Sequence, residues 1–164
     1  MQIKEIMTQP VMTCPVGSTL DHAARLMWQY DCGVIPVTDS DGRLVGVVTD
    51  RDICMAAYTQ GVALSAIPVT TAMAKQVIAV HEEELIEQVE YLMRESQIRR
   101  LPVLDSENRP VGIISMNDLA RLAARAHKRG VDHELIKTLA AVCQPRGDGH
   151  VVEREEIVRP SVTL

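Results

Sequence analysis

The chain has 164 residues, 46% apolar and 24% charged, with 9 Gly and 8 Pro; this excludes a disordered, collagenous or coiled-coil chain and leaves an ordinary globular one. Its net charge is 17 − 22 = −5, against a nonspecific phosphate-backbone binder, and one Trp, three Tyr and no Phe leave no aromatic platform for single-stranded nucleic acid. No run of 18 apolar residues and no signal-peptide core occurs near Lys4, Glu5 and Thr8, so neither nucleic acid nor a membrane is expected as a partner and the cytoplasm is the default compartment.

In chain order, Val11 to Cys14 reads as a short extended piece. Ser18, with Asp21 three residues on, fits a capping-box start for a helix whose face is Leu20, Ala23, Ala24 and Met27. Gly33 to Thr38, the turn run Asp39-Ser40-Asp41-Gly42 and Leu44 to Thr49 form a hairpin signature, followed by a helix with Ile53, Ala56 and Ala57 on one side. A linker, Gly61 to Thr71, leads to Val77 to Val80, a helix with Ile86, Val89 and Met93, then Arg99 to Leu104, a turn from Ser106 to Pro110, Val111 to Ser115, and a helix with Leu119, Leu122, Ala123 and Ala126.

The second series repeats the first. Met7-Thr8 resembles Met73-Ala74, Ile35-Pro36-Val37 resembles Leu101-Pro102-Val103, Val45 to Val48 resembles Val111 to Ile114, and Asp52-Ile53 resembles Asp118-Leu119, all at an offset of 66. The unit is β-α-β-β-α, twice: an α/β (α+β) chain with repeats at 1–66 and 67–126 and a C-terminal part at 127–164. One copy buries too little to stand alone, so the two are expected to pack about a pseudo-two-fold axis with a cleft and two equivalent pockets. In the C-terminal part, Asp132 to Cys143 reads as an amphipathic helix with Leu135, Ile136, Leu139 and Val142 apolar, and the chain beyond Pro145 as a tail.

Thr49-x-x-Asp52 and Ser115-x-x-Asp118 each stand where a strand hands over to a helix. The pattern is a helix cap. The same place offers free N–H groups and a positive dipole end to a phosphate, and the Asp can accept from two vicinal ribose hydroxyls, which together describe a nucleotide. Ile35-Pro36 and Leu101-Pro102 interrupt strands, so each Pro belongs on an edge or beside a cleft, where free backbone and apolar side chains could hold a base. Arg99 and Arg100, in place of Gly33 and Val34, are surface charges or supply one phosphate clamp, since adjacent strand residues face opposite ways. Arg51 against Asn117 is a second inequality between the copies.

Other chemistries lack their motifs. Neither a GxxxxGK[ST] loop nor a dinucleotide fingerprint occurs, and His81-Glu82 and His133-Glu134 meet Leu85 and Lys137 where a zinc site needs its second His, so both His read as solvated surface. Cys14, Cys32, Cys54 and Cys143 are spaced by 18, 22 and 89 and read as reduced, mostly buried thiols, Cys54 as inert. No nucleophile, base and orienting group converge, so no catalytic residue or metal is assigned and the chain is not read as an enzyme.

At Ile6-Met7-Thr8, Gly33 to Val37, Gly46 to Asp52, Arg100 to Val103 and Gly112 to Asp118 the sequence resembles a tandem cystathionine-β-synthase (CBS) domain pair, or Bateman module, over about residues 1 to 126. The resemblance implies two CBS repeats packed on each other and a regulatory, signal-transducing module rather than the pyridoxal enzyme that gives the name. It implies adenosine-containing ligands (AMP, ADP, ATP, NAD or S-adenosylmethionine) in the cleft, as regulatory ligand rather than required cofactor. Asp52 and Asp118 would hold ribose, Thr49 and Ser115 phosphate, and Ile35, Leu101, Thr13 and Ala79 would line the adenine pocket. It also implies a flat homodimer through the helices and an effector protein the sequence does not name. The alternative is a structural homodimerisation adaptor without a ligand.

Overall fold

A computed structural model describes residues 1–126 and 129–143; the expected tail after Pro145 lies outside them, as does the His133 side chain. Among the described residues there are two three-stranded sheets and five α-helices: β1 (Cys14–Pro15), α1 (Leu20–Gln29), β2 (Val34–Thr38), β3 (Leu44–Thr49), α2 (Asp50–Gln60), β4 (Val80–His81), α3 (Ile86–Ser96), β5 (Arg100–Leu104), β6 (Pro110–Ser115), α4 (Met116–Ala126) and α5 (Arg129–Val142). The sheets are ordered β1-β2-β3 and β4-β5-β6. The chain forms two compact units. One holds residues 10–77 and 104–111; the other holds residues 1–9, 78–103 and the described residues from 112 on.

In the first of these units β2 is buried along its whole length, because it lies between β1 and β3, whereas β3 buries alternate residues. Leu20, Ala23 and Met27 of α1 and Ile53 and Ala56 of α2 close a core with Ile35, Val37 and Val48. The turn after β2 is tied by Asp39 Oδ1, which accepts from the N–H groups of Asp41 and Arg43, both at 2.9 Å. Gly42 there takes φ +79°; its counterpart Asn108 takes +62°, beside Asp105 Oδ1 accepting from Glu107 N and Arg109 N.

Pro36 and Pro102 both lie on central strands, not at an edge, which corrects one of the two expected placements. The reason for Pro36 is the register. Val47 opposite it spends its N–H and C=O on Ala74, at 3.0 and 2.8 Å, so Pro36 faces a pair that exchanges no ladder bonds and its missing N–H costs no rung to β3.

The N-cap of helix α1 is Thr19 rather than Ser18, and no capping box forms there. Ser18 is held by its backbone, its carbonyl accepting from Val69 N at 2.9 Å, while Leu20 N donates to the Ile67 carbonyl at 2.9 Å. The linker therefore supplies the backbone partners that a side-chain cap would have supplied. Asp21, bonded to the Thr19 hydroxyl, has its carboxyl held below the usual range by that bond.

The other unit repeats these contacts with the chain's first residues. Ile3 N donates to the Glu84 carbonyl at 3.0 Å, and Ile86 N donates to the Met1 carbonyl at 3.3 Å. Thr8 pairs with Ile113 by two backbone bonds of 2.8 and 3.0 Å, as Ala74 does with Val47. Each copy's leading segment thus completes the sheet and helix start of the opposite copy.

Helix α5 packs on α3 and α4. It buries Leu135, Thr138 and Val142, whereas Ile136 and Leu139 are 61% and 38% exposed, so the apolar face is narrower than the four-residue stripe read from the sequence. Residues 135, 138 and 142 follow the helical period; 139, four on from 135, stands at the margin of that face and 136 lies off it.

Candidate functional site

At the start of α2, Asp52 Oδ2 accepts from Thr49 N at 3.0 Å and from Thr49 Oγ1 at 2.6 Å, and Asp52 N donates back to Thr49 Oγ1 at 3.3 Å. The cap expected from this motif is formed, and the carboxylate is half-buried. At the start of α4 the same pattern recurs: Asp118 Oδ2 accepts from Ser115 N at 2.7 Å and Ser115 Oγ at 2.5 Å. Asp118 is only 3% exposed.

The remaining oxygens differ. Asp118 Oδ1 accepts from Thr8 Oγ1 at 3.0 Å and from the Arg121 guanidinium. Beside it is a cavity of about 380 Å³ walled by Glu5, Ile6, Met7, Asp118, Arg121 and Leu122. Among the described residues no donor reaches Asp52 Oδ1, and the carboxylate keeps an accepting edge. Thr8, Glu5 and Arg121 were not singled out in the sequence, although Thr8 against Ala74 was visible in the repeat as a hydroxyl set against a methyl.

The other candidate residues fall into two sets. Thr13, Ile35, Pro36, Thr49, Arg51 and Asp52 belong to the unit built on β1–β3, and Ala79, Arg99, Arg100, Leu101, Pro102, Ser115 and Asp118 to the other. Ile35 and Leu101 are fully buried, so their side chains are spent on the cores. Thr13 and Ala79 are half-buried beside β1 and β4. Arg51, Arg99 and Arg100 are exposed, and the Arg99 carbonyl accepts from Met116 N at 3.0 Å at the start of α4.

The cysteines correct the expectation of mostly buried thiols: Cys14 is buried and Cys32 intermediate, but Cys54 and Cys143 are exposed. Burial pushes the Cys14 thiol above its ordinary pKa, against a smaller lowering by its hydrogen bond with Ser18. A thiol reagent at pH 8 is therefore expected to label Cys54 and Cys143 in the native protein and Cys14 only after denaturation; rapid native labelling of Cys14, read by peptide mass spectrometry, would contradict its placement. Among the described residues no helix is long and apolar enough to cross a membrane.

Two stretches, residues 3–58 and 65–125, match the CBS domain family. The chain belongs to the CBS domain family. It is 38% identical over 118 residues to CBS domain-containing protein YhcV of Bacillus subtilis, covering 72% of this chain and 82% of the relative. The CBS domain pair of protein MJ0100, solved in complex with 5'-methylthioadenosine and S-adenosyl-L-methionine, superposes with a TM-score of 0.69 at 28% identity, over 76% of this chain and 97% of that one. CBS domain protein PAE2072 of Pyrobaculum aerophilum, complexed with AMP, shares the fold with a TM-score of 0.68 at 24% identity, over 84% and 99% of the two chains. The tandem CBS architecture that the resemblance implied is thereby established, as is the α+β class.

Proposed function

We propose that this CBS pair is a non-enzymatic regulatory module that binds adenosine-containing ligands, with Asp52 and Asp118 as ribose acceptors and Thr49 and Ser115 at the phosphate end. The observation that carries it is the open Oδ1 of Asp52 at the start of α2, beside the Thr49 hydroxyl, where vicinal hydroxyls find a carboxylate that can accept from them. The adenosine compounds in the MJ0100 complex support the same ligand class. A ligand regulates only through its different affinity for two arrangements of the chain, which an effector protein then reads.

A homodimer through the helices belongs to the same proposal. Trp28 on α1 and Tyr58 on α2 are 89% and 82% exposed, whereas α5 packs on α3 and α4 of the second repeat. An adaptor that only dimerises would use these side chains and leave the carboxylates idle.

Titration calorimetry and thermal melts with AMP, ATP, NAD and S-adenosylmethionine separate the two. A binder gains melting temperature by mass action, and an adaptor does not. Asp52→Ala is expected to weaken AMP binding by about tenfold or more, since it removes bonds to a charged acceptor. Losing its half of the capping box, as the N3 residue beneath the Thr49 cap, costs only about 1 kcal/mol of stability. Unchanged affinity in that variant would overturn the ribose role.

A further inference from the structure

The two acidic carboxylates have the same partners on one oxygen and different partners on the other. Thr8 and Arg121 both donate to Asp118 Oδ1. At the matching offset of 66, Ala74 stands for Thr8 and Met55 for Arg121, and neither side chain carries a donor. The open oxygen of Asp52 is therefore a consequence of two residue choices rather than of backbone geometry.

We infer that the two sites fill in a fixed order, Asp52 first, because Thr8 and Arg121 form a clasp that occupies the ribose-accepting oxygen of Asp118. The inference rests on the reading of both Asp residues as ribose acceptors. At Asp52 a diol meets a free acceptor. At Asp118 it must displace a hydroxyl and a guanidinium, exchanging an ion pair for bonds from neutral donors. The Arg121 side chain is 60% exposed, so solvent discounts its share, but the bond from Thr8 is part-buried.

Two further features act in the same direction. Glu5 puts a second carboxylate into the wall of the cavity beside Asp118, where a phosphate would meet it; Thr71 holds the equivalent position in the other copy. The clasp is also tied to the start of the chain, since Thr8 is held to Ile113 by both of its backbone groups. Opening it pulls on residues 1–9, so occupancy of the second site reaches a segment that the first site does not touch.

The test is calorimetric titration of the full chain with AMP. The wild type is expected to show a tight site lost in Asp52→Ala and a site about tenfold weaker, or beyond range, lost in Asp118→Ala. Thr8→Ala with Arg121→Met gives the second copy the residues of the first and should tighten the weak site about tenfold; Ala74→Thr with Met55→Arg should weaken the tight one. Circular dichroism checks the fold. Arg121→Met alone, at an exposed side chain, serves if the double variant melts early.

Equal sites in the wild type, a tight site that disappears with Asp118→Ala, or no response to removing the clasp would overturn the order of filling while leaving adenosine binding in place. No binding of AMP, ATP or S-adenosylmethionine by the wild type removes the ligand reading beneath it.

Discussion

Replacing Ile35 by alanine is expected to lower the unfolding free energy by about 2–5 kcal/mol, a large part of the roughly 5–15 kcal/mol that a domain has to lose. Ile35 is fully buried near the start of β2, within the cluster that Leu20, Met27, Val37, Val48 and Ile53 also form. Removing three carbons there forfeits transfer energy and leaves a space that neighbours from two helices and a strand cannot jointly fill. Chemical denaturation followed by circular dichroism reads the change as a shift of midpoint. Ile136→Ala is the control: that side chain is 61% exposed, and its loss should move stability by no more than about 0.5 kcal/mol. Equal effects from the two would mean that β2 is not where the core lies.

The second large effect is expected at Gly46. A Cβ built there would stand 2.7 Å from the Met73 sulfur and 3.0 Å from the Ala74 carbonyl oxygen. The thioether can swing aside, but the carbonyl belongs to the strand-like pairing of Ala74 with Val47, and pushing it strains the bond it accepts from Val47 N. Gly46→Ala should therefore cost about 1–3 kcal/mol through overpacking. In a chain of this length that is roughly 2–4 °C of melting temperature per kcal/mol. Gly17→Ala, where an added Cβ meets nothing within 4 Å, should be close to neutral. Gly112, crossed by Met7 in the same way, should behave like Gly46.

What the sequence disclosed follows from which forces are local. The helical period of Leu20, Ala23 and Met27 and the alternation along β3 are set by burial on one face, and the structure buries those residues. The 66-residue offset carried the architecture, because a duplicated hydrophobic pattern requires a duplicated fold. Long-range backbone partners left no such mark. Nothing in Ser18 or Thr19 announces that Ile67 and Val69 will satisfy the start of α1. Pro36 was placed by the rule that proline avoids ladders, but the rule concerns hydrogen bonds, and Val47 sends its own elsewhere.

At the candidate site the hydroxyl–carboxylate pairs were legible from spacing alone. The hydrogen bonds that make the two pairs unequal were not. The sequence drew attention to Arg51, Arg99 and Arg100, all of which lie exposed, while the charge that reaches Asp118 comes from Arg121, one helical turn further on. An i, i+3 relation between Asp118 and Arg121 was available as a signal, and it is the spacing at which helix residues meet.

The exchange of leading segments bears on synthesis. As the chain leaves the ribosome, Met7 and Thr8 emerge more than a hundred residues before Gly112 and Ile113, which they cover. Contacts so distant in sequence are slow to close. The segment that carries Met7 and Thr8 must therefore wait, unclaimed, while the opposite copy is translated, and that interval is when a chaperone or a neighbouring polysome product could reach it.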